Sequence, residues 1–570
     1  MKKWVLRPRP DAEFRRKFSK YSGFIQNILF ARGIKTRKQA ETFFELAYDQ
    51  GLNDFYLLGD MRKAVKRILK AIKKKEKLAI YGDYDADGVT AATVLNQFFL
   101  ELGIKPVIYI PDRVKEGYGL NQEAGNYLNK KKVKLVITVD TGVRNALEVE
   151  GFRKMDIEVV ITDHHAVPDD LPKAVAIIDP HKKEDEYPFC ELSGAGVAFK
   201  LVQALVNELG VKRFSVGFEK WLLDLVAVGT IADLVPLLGE NRVLVKYGLV
   251  VLSRTKRQGL KYLMEAAGIS YEREPVRSTQ VAFQVAPRIN AAGRMDHANN
   301  AFMLLNEGNS RKARKLAEQL EKHNRKRQSL TSKIFDEIEA MNFDKEKAII
   351  AGSRDWPLGI LGLVAGRLCD KYSRPTLVYT IEGDEIRGSA RSITEFNIIK
   401  ALDKTSDLLL EYGGHKQAAG FTLAKKNLRV FERKIKKMAD EKLDRKDLTP
   451  KLMIDYRVGP GEISGRMLEE LKALEPFGAG NPEPLFLLEK AVVQGMKLVG
   501  RGQNHLKLVV KDKSGGQRLE CIGFNFACQA GKMKIGEKVD IVFNLACNYF
   551  NGGEYLELRL VDIKLSGKNA

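Results

Sequence analysis

A series of short apolar runs between about residues 77 and 180 restricts the fold of this chain more than any other feature. The runs are KLAIYG, PVIYIP, KLVITV, IEVVIT and AVAIID, and helix-like stretches separate them. Strands that read as continuous apolar runs are buried on both faces, which is typical of a parallel sheet covered by helices. The sequence therefore predicts an α/β lobe with a parallel sheet in this region.

Acidic and imidazole side chains directly follow three of these runs. They are Asp83, Asp85 and Asp87 after KLAIYG, Asp140 after KLVITV, and Asp163, His164 and His165 after IEVVIT. Because the carboxyl ends of parallel strands meet at one edge of a sheet, these side chains are expected to share one crevice. A further acid, Asp233 in VGTIADLVP, lies in a helical context that could close the cluster.

Such a cluster of acids is unfavourable unless a cation neutralises it. Oxygen ligands with a few imidazoles suit Mn²⁺ or Mg²⁺ better than zinc, which favours thiolate-rich sites. The pattern from Asp83 to Gly88 also begins like an EF-hand loop, but that loop needs a Glu where this chain has Val94, and a preceding helix. Each acid alone would more often be a turn or capping residue, whereas the set predicts a divalent-metal site.

The balance of charge favours a polyanionic partner. Lys and Arg number 95 against 73 Asp and Glu, which gives a formal net charge of +22. Nine of the cations fall between Arg311 and Lys333, where apolar residues recur at mostly helical intervals and predict a long amphipathic helix with a basic face. A second basic run spans Lys63 to Lys77. Each run alone would more often be a solvated face, so the charge by itself does not decide between partners.

The length of 570 residues predicts several domains, at roughly 100–200 residues each. Alternation of strand-like and helix-like sequence restarts near Lys345 with KAIIAG and PTLVYT, which predicts a second α/β domain. From about Leu452 onward, short strands with Gly and Asn turns predict a small antiparallel barrel of the OB type.

The cysteines and the N-terminus indicate the compartment. The cysteines form no C-x-x-C pair, which favours reduced thiols and a cytoplasmic protein; they are Cys190, Cys369, Cys521, Cys528 and Cys547. The first residues, MKKWVLRPRPDAEF, lack the apolar segment of a signal peptide, and no apolar stretch approaches the roughly 20 residues of a membrane helix. Neither a secretory signal nor a membrane span is expected.

Four short motifs, GDYDADG, VDTG, TDHH and GTIAD, occur in the order and context of those of the DHH phosphoesterase superfamily. Further segments resemble one branch of it, the RecJ family of single-strand-specific 5′→3′ DNA exonucleases. They are PDRVKEGYGL, YPFCELSGAGVAFKL, APRINAAGRM, RGSARS, YGGHKQAAGF and LEPFGAGNPEPLF. The resemblance covers nearly the whole chain, and this series of motifs is much more specific than D-H-H alone.

The resemblance implies an α/β multidomain protein with a parallel-sheet DHH lobe, a long linking helix, a smaller α/β DHHA1 lobe and a C-terminal OB-type β-barrel. The domain bounds that we predict are 1–60 for an N-terminal helical extension, 61–260 for the DHH catalytic domain, 261–343 for a helical linker with the long basic helix, 344–447 for DHHA1 and 448–570 for the OB domain.

For the site, the resemblance implies two divalent cations, Mn²⁺ or Mg²⁺, that promote in-line hydrolysis of a phosphodiester. The ligand candidates by motif match are Asp83, Asp85, Asp87, Asp140, His164 and Asp233. The catalytic candidates are Asp83, which could orient the attacking water, together with His165 and His415. Asp163 is expected to fix the geometry of the ligands through hydrogen bonds.

The resemblance also implies a binding site for the 5′-terminal phosphate, which we call the phosphate grip, formed by Arg113, Arg288, Ser389 and Arg391. Arg pairs bidentately with phosphate, and only a chain end offers the extra charge, so such a grip would explain exonuclease action with 5′→3′ polarity. Gly413 and Gly414 would let the strand approach the backbone beside His415. On the barrel, some of Phe524, Phe526, Tyr549 and Phe550 could stack on bases, although core packing is the more common fate of any one aromatic residue.

Two positions depart from the family pattern, because Tyr81 and Pro357 stand where related sequences often have His. A neutral phenol is a poor ligand, so the first metal is expected to rely on the three aspartates after KLAIYG or to be held more weakly. Any role of the second His would be absent or filled by another residue.

Two other functions remain open at this point. A DHH phosphodiesterase acting on very short oligoribonucleotides, dinucleotides or pyrophosphate would usually be shorter and lack the barrel. A non-catalytic DHH-like replication factor would have lost the metal-binding acids. We predict the exonuclease, acting in DNA repair and recombination, with single-stranded DNA as partner, a helicase and a single-strand-binding protein as candidate partners, no membrane, and a monomeric state.

Overall fold

The computed structural model describes residues 2–45, 47–183, 185–343, 345–459, 461–512, 516–550 and 553–567, apart from the side chains of residues 547–550 and 553–555. The chain divides into two compact units, Met1–Leu46 with Thr449–Ala570, and Ala47–Leu448. Among the described residues, no helix combines the length and the apolar character needed to cross a bilayer. The cysteines whose side chains are described are free thiols, namely Cys190, Cys369, Cys521 and Cys528.

The N-terminal segment contains one short strand and a group of helices: β1 (Lys3–Leu6), α1 (Ala12–Lys17), α2 (Gly23–Ala31) and α3 (Arg37–Phe44). Polar side chains determine where two of the helices begin. The Asp11 carboxylate accepts a hydrogen bond from the Phe14 amide, and Thr36 with Gln39 forms a reciprocal capping box.

The second unit opens with a parallel sheet and its helices. These elements are α4 (Tyr48–Gly51), α5 (Met61–Lys74), β2 (Leu78–Gly82), α6 (Ala86–Glu101), β3 (Val107–Tyr109), α7 (Gln122–Lys130), β4 (Leu135–Val139), α8 (Ala146–Lys154), β5 (Glu158–Thr162), β6 (Ala176–Ile178) and α9 (Gly194–Leu209). The strands lie in the order β3-β2-β4-β5-β6, and every neighbouring pair is parallel. The predicted parallel-sheet α/β lobe is confirmed.

Helices cover both faces of this sheet. Alternate residues of a strand point to opposite sides, so Ile80 and Ile137 pack in the core with α6 and α9, whereas Tyr81 and Val136 pack with α7 and α8. β2 and β4 are buried along their whole length, which explains their continuous apolar sequences. The carboxyl ends of β2, β4 and β5 open at the same edge of the sheet.

A run of helices continues the chain: α10 (Phe218–Trp221), α11 (Leu223–Ala232), α12 (Gly239–Leu252), α13 (Gln258–Ala266), α14 (Ser278–Gln280), α15 (Ala286–Met295), α16 (Asn299–Asn306) and α17 (Ser310–Glu339). A π-helical turn, Val281–Val285, precedes α15. In α17, Leu320, Ile334 and Ile338 are buried while most of the Lys and Arg residues are exposed. This confirms the long basic helix.

A smaller sheet follows, with β7 (Ile349–Ser353), α18 (Leu358–Tyr372), β8 (Thr376–Glu382), β9 (Glu385–Arg391), α19 (Ile398–Asp403), β10 (Leu409–His415), β11 (Ala418–Ala424) and α20 (Leu428–Lys442). Its order is β10-β11-β9-β8-β7, and only the β7–β8 pair of this sheet is parallel. α18 packs on β8 and β9, while α19 and α20 pack in the core on the other face. The second α/β lobe is therefore confirmed, with a mixed sheet.

The remaining elements are β12 (Lys451–Ile454), β13 (Tyr456–Arg457), α21 (Gly465–Lys472), β14 (Phe486–Val499), β15 (His505–Lys511), β16 (Arg518–Gly523), α22 (Ala527–Ala530), β17 (Lys538–Phe550) and β18 (Gly553–Leu565). Strands β14, β15, β16, β18 and β17 pair in that order, and β17 pairs back with β14, so the sheet closes into the predicted OB-type barrel. β1 pairs in parallel with β12, which joins the N-terminal segment to the barrel as one unit.

Candidate active site

Two carboxylates that follow β2 are held by the beginnings of helices. Asp85 caps α6, because its carboxylate accepts hydrogen bonds from the Asp87 amide at 2.9 Å and the Gly88 amide at 3.1 Å. Asp87 is buried, and its two oxygens accept hydrogen bonds from the Gly194 amide at 2.6 Å and the Ala195 amide at 3.0 Å, at the start of α9. The positive ends of two helices thus stabilise the negative charge of both groups.

His164 lies among carboxylates that come from three separate parts of the chain. Its Nε2 atom is 3.0 Å from Asp140 Oδ1, 3.7 Å from Asp233 Oδ2 and 3.9 Å from Asp87 Oδ2. Three overlapping groups of possible ligand atoms each lie within 4.8 Å of one another. They are Asp83 with Asp85 and Asp140, Asp87 with His164 and Asp233, and Asp140 with His164 and His165. The structure therefore brings all six predicted metal ligands into one cluster.

Close packing of backbones makes this convergence possible. A Cβ atom on Gly194 would lie 2.6 Å from the Asp140 Cβ, and one on Gly229 would lie 2.5 Å from Asp87 Oδ1. Any side chain at either position would displace a member of the cluster, so glycine is required at both.

The cluster suits divalent cations. Asp83 Oδ1, Asp140 Oδ1 and His164 Nε2 are buried, and none of them makes a hydrogen bond within the described part of the chain. Burial and the neighbouring carboxylates raise the pKa of Asp83 and Asp140 well above the usual range. Burial and the Asp233 carboxylate raise the pKa of Asp87 to about 7. Oxygen and imidazole ligands with surplus negative charge are what Mn²⁺ and Mg²⁺ prefer, so the residues fit these ions.

The raised pKa of Asp87 predicts how the stability of the metal-free protein depends on pH. Folding favours the protonated carboxyl. The contribution of Asp87 to the free energy of unfolding is therefore complete below a pH of about 4 and is lost as the pH rises through about 7. A rise in pKa from 3.8 to about 7 corresponds to roughly 4 kcal/mol. Asp87→Asn carries no charge, so its melting temperature relative to the wild type should be higher at pH 8 than at pH 5.

Thermal unfolding in chelator at both pH values measures this effect. Asparagine also loses a hydrogen bond to the start of α9. This loss lowers the melting temperature of the variant equally at pH 5 and pH 8, so the pH dependence of the difference from the wild type is unchanged. A difference between variant and wild type that is the same at pH 5 and pH 8 would contradict the prediction.

Asp163 holds a neighbouring histidine rather than joining the ligand groups. Its Oδ1 atom lies 2.7 Å from His165 Nδ1 and accepts the His164 amide at 2.8 Å, while Oδ2 accepts the Val143 amide at 2.9 Å. The Tyr118 hydroxyl lies 3.1 Å from the same Nδ1 atom. With Nδ1 engaged, Nε2 of His165 is the nitrogen that remains for a substrate or a metal. Tyr118 is not among the site residues that the sequence predicts, although the segment EGYGL that contains it carries part of the family resemblance.

Tyr81 has a structural role. The side chain is fully buried, its hydroxyl donates a hydrogen bond to the Gly119 carbonyl at 2.9 Å, and its ring stacks on Tyr109. Burial raises the pKa of this phenol well above the usual range, so it stays neutral. The second departure, Pro357, directly precedes α18 and leaves no side-chain donor there.

Arginines without acidic partners lie next to the acidic cluster. Arg391 on β9 donates a hydrogen bond to the Ser389 hydroxyl at 3.2 Å. Burial, and then the nearby Arg113, lower the pKa of Arg391. Among the described residues, no carboxylate forms an ion pair with Arg113, Arg294 or Arg391. Positive groups gathered in this way, without counter-ions from the protein, suit a bound anion such as a phosphate.

Arg294 is a member of this group that sequence reasoning missed. It lies on α15, and its Nη1 atom donates to the Gly359 carbonyl at 3.0 Å. Burial, followed by Arg113, lowers its pKa to about 9, and Asp85 acts in the opposite direction. Arg294 is therefore within electrostatic reach of both the arginines and the acids. It is the next-to-last residue of the segment APRINAAGRM, in which the family resemblance implies a role for Arg288 alone.

Arg288 is placed differently from Arg294, although both are on α15. Its Nε atom pairs with Glu321 at 2.7 Å, and its Nη1 atom donates to the Gln284 carbonyl at 2.6 Å. The predicted contact between Arg288 and a 5′-phosphate stays a prediction.

Gly413, Gly414 and His415 end β10, an exposed strand at the edge of the smaller sheet. His415 pairs with Ala418, and Ala418 in turn pairs with Arg391, so the imidazole lies at the same end of this sheet as the arginine.

In the barrel, Phe524 is 55% exposed and is available for stacking, whereas Phe526 packs against Gly523. The side chains of Tyr549 and Phe550 lie outside the described residues.

Two α/β lobes joined by a long helix, with a cluster of acids and histidines at the edge of the parallel sheet, define a phosphoesterase of the DHH superfamily. Family models agree: the DHH family N-terminal domain matches residues 77–230, the DHHA1 domain matches residues 345–441 and the RecJ OB domain matches residues 454–562. The chain belongs to the RecJ family of single-stranded-DNA-specific exonucleases.

Individual relatives support this assignment. The chain is 36% identical to the single-stranded-DNA-specific exonuclease RecJ of Bacillus subtilis, over 95% of this chain and 68% of the relative. It is 30% identical to RecJ of Escherichia coli, over 95% of each chain. It is also similar to the crystal structure of RecJ from Thermus thermophilus in complex with Mn²⁺, with a TM-score of 0.83 and 28% identity over 99% of this chain and 79% of that one.

Proposed function

We propose that this protein is a metal-dependent exonuclease that degrades single-stranded DNA from the 5′ end and releases 5′-mononucleotides. The observation that carries the proposal is the position, beside the acids, of arginines that have no ion pair within the described part of the chain. Arg294 is within electrostatic reach of both Arg113 and Asp85. An enzyme that anchors the terminal phosphate at the arginines places the first phosphodiester of the chain at the acids. Cleavage at the first bond from the 5′ end follows.

The acidic cluster is assigned to two divalent cations, Mn²⁺ or Mg²⁺. The ligands are Asp83, Asp85, Asp87, Asp140, His164 and Asp233. When bound, two such ions lower the pKa of a water molecule and stabilise the attacking and leaving oxygens of the displacement.

The remaining residues act on the substrate and the water. Asp83 orients the attacking water, and His165, which Asp163 and Tyr118 hold through Nδ1, contacts the scissile phosphate through Nε2. His415 contacts the same region from the edge of the smaller sheet.

Several features support a single strand as the substrate. The relatives are named single-stranded-DNA-specific exonucleases. Phe524 is an exposed aromatic ring on an OB-type barrel, a fold that often stacks on successive bases. The net charge of +22 favours contact with phosphates and predicts that binding weakens as salt rises.

The setting in which the protein works is part of the proposal. We expect a monomer that acts in the cytoplasm during DNA repair and recombination, with a helicase and a single-strand-binding protein as partners that expose and present the strand.

Digestion of end-labelled DNA tests the function. Single strands and duplexes carrying a 5′ or a 3′ label are incubated with Mn²⁺, Mg²⁺ or chelator. We expect mononucleotides released from the 5′ end of single strands, little attack on duplex, and no product in chelator. Release from the 3′ end, or a preference for dinucleotides, would instead favour a small-substrate phosphodiesterase.

A further inference from the structure

Two glycines on neighbouring strands of the smaller sheet have no packing or conformational reason to be glycine. Gly413 on β10 pairs with Gly420 on β11. A Cβ atom on Gly413 would have no described atom within 4 Å, and one on Gly420 would meet only the Gly388 carbonyl oxygen at 3.9 Å. Neither residue has the left-handed φ that favours glycine. Glycine weakens a strand by about 0.5–1 kcal/mol, so another cause is required.

Other glycines in the same sheet are explained by their surroundings. A Cβ atom on Gly388 would lie 2.2 Å from the Phe421 ring. Gly414 has φ 144°, and a Cβ atom there would lie 2.3 Å from the Ala418 carbonyl oxygen. Glycine inside a strand without such a constraint often marks the close approach of a ligand.

The two unexplained glycines form a row with the proposed phosphate grip. Gly420 pairs with Ser389 on β9, so Gly413, Gly420 and Ser389 lie side by side on one face of three adjacent strands. The row is about 10 Å long, since strands lie about 4.8 Å apart. α18 packs on β8 and β9 of this sheet, while Gly413 and Gly420 are exposed. Gly413 and Gly420 form a flat surface beside Ser389, and we call these two residues the glycine floor.

A cavity of about 260 Å³ opens over the glycine floor. Its lining includes Leu358, Arg387, Glu411 and Thr422. Arg387, Thr422 and Glu411 form the next row across the same strands, so a guanidinium and a carboxylate border one side of the floor. A flat floor without side chains, an apolar wall and a polar border suit a planar ring with hydrogen-bonding groups at its edge.

We propose that this cavity binds the nucleobase of the 5′-terminal nucleotide, with the ring lying on the peptide planes of Gly413 and Gly420. The inference rests on the proposed function, because Ser389 is part of the grip on the 5′-phosphate. The nucleotide that carries this phosphate is the one whose base lies within reach of the adjacent floor. Arg387 donates hydrogen bonds to the polar edge of the base, and Glu411 accepts hydrogen bonds from it.

Gly420→Val tests the cavity, because the valine has room and favours a strand but covers the floor. The substrates are 5′-phosphorylated single strands whose first nucleotide is either normal or abasic, and kcat/KM is measured with Mn²⁺. The wild type should prefer the normal strand about 10-fold, the lower part of the range for stacking on one base. The kcat/KM of Gly420→Val should be about 10-fold lower than that of the wild type on the normal strand and equal to it on the abasic strand.

Gly495→Val is the matched control, because Gly495 is a strand glycine of β14 whose Cβ position also has no described atom within 4 Å. It should behave as the wild type on both substrates. If melting shows that Gly420→Val is unfolded, the smaller change Gly413→Ala is measured in the same way.

The outcomes separate the two proposals. If the wild type degrades normal and abasic strands equally well, or if the kcat/KM of the variant falls equally on both, the assignment of the cavity to a base is wrong and the exonuclease proposal still stands. A wild type that degrades neither strand would refute the proposed function, and the cavity assignment with it.

Discussion

Asp140→Asn is expected to lower the hydrolysis of single-stranded DNA by at least about 1,000-fold. Asp140 Oδ1 is buried, lies 3.0 Å from His164 Nε2 and makes no hydrogen bond within the described residues, so it is free to bind a cation. Loss of a hydrogen-bond partner outside the ligand set of a metal already costs 10–100-fold, and loss of a ligand should cost more. Initial rates with Mn²⁺ and with Mg²⁺ measure the loss.

The same variant should fold normally, which makes the loss of activity interpretable. Asp140 has φ 62°, a left-handed conformation that asparagine tolerates better than most residues. The amide also removes one negative charge from a crowded cluster, so the metal-free variant should melt above the metal-free wild type. Saturating Mn²⁺, about 100-fold over its Kd, should stabilise the wild type by about 2.7 kcal/mol for each bound ion and the variant much less.

Asp156→Asn is the matched control. Asp156 also has a left-handed backbone, φ 58°, but it is exposed and lies before β5, at the opposite end of the strand from His164. The activity of the Asp156→Asn protein and its stabilisation by Mn²⁺ should equal those of the wild type. An Asp140→Asn protein that kept its activity, or gained as much stability from Mn²⁺ as the wild type, would disprove the metal assignment.

Arg391→Ala is expected to lower kcat/KM on 5′-phosphorylated single strands by about 100-fold. A hydrogen bond to a charged group contributes about 1.5–3 kcal/mol, and an arginine makes two such bonds to one phosphate. Arg391 has no carboxylate partner among the described residues, so its removal leaves no buried acid unpaired. The loss should therefore reflect the substrate and not the stability of the fold.

Strands with a 5′-hydroxyl provide the internal comparison for Arg391→Ala. The variant should degrade phosphorylated and hydroxyl ends at similar rates, while the wild type prefers the phosphate. Arg433→Ala, an exposed arginine on α20, should change neither rate. An equal loss on both kinds of end would show that Arg391 does not read the terminal phosphate.

Much of the fold and the acidic cluster could be predicted because they depend on local patterns. Buried parallel strands read as apolar runs, and their carboxyl ends share one edge, so the residues that follow β2, β4 and β5 had to come together. The pairing of β1 with β12 could not be predicted in this way. The two strands are separated by most of the chain, and no local pattern encodes which distant strands pair.

The arginine group shows what the sequence could not resolve. Arg288 and Arg294 lie six positions apart on α15, and at about 100° per residue they point to different sides of the helix. The first pairs with Glu321, and the second lies near Arg113. Both occur in one segment that resembles the family, and only the packing of α15 distinguishes them.

The chemistry of the proposed metal site can thus be read along the chain, because each proposed ligand follows a strand or lies at the end of a helix whose direction is encoded locally. The grouping of Arg113, Arg294 and Arg391, and the row that Gly413 and Gly420 form with Ser389, exist only after folding. They join separate helices and strands, and which of their faces meet is settled by long-range packing.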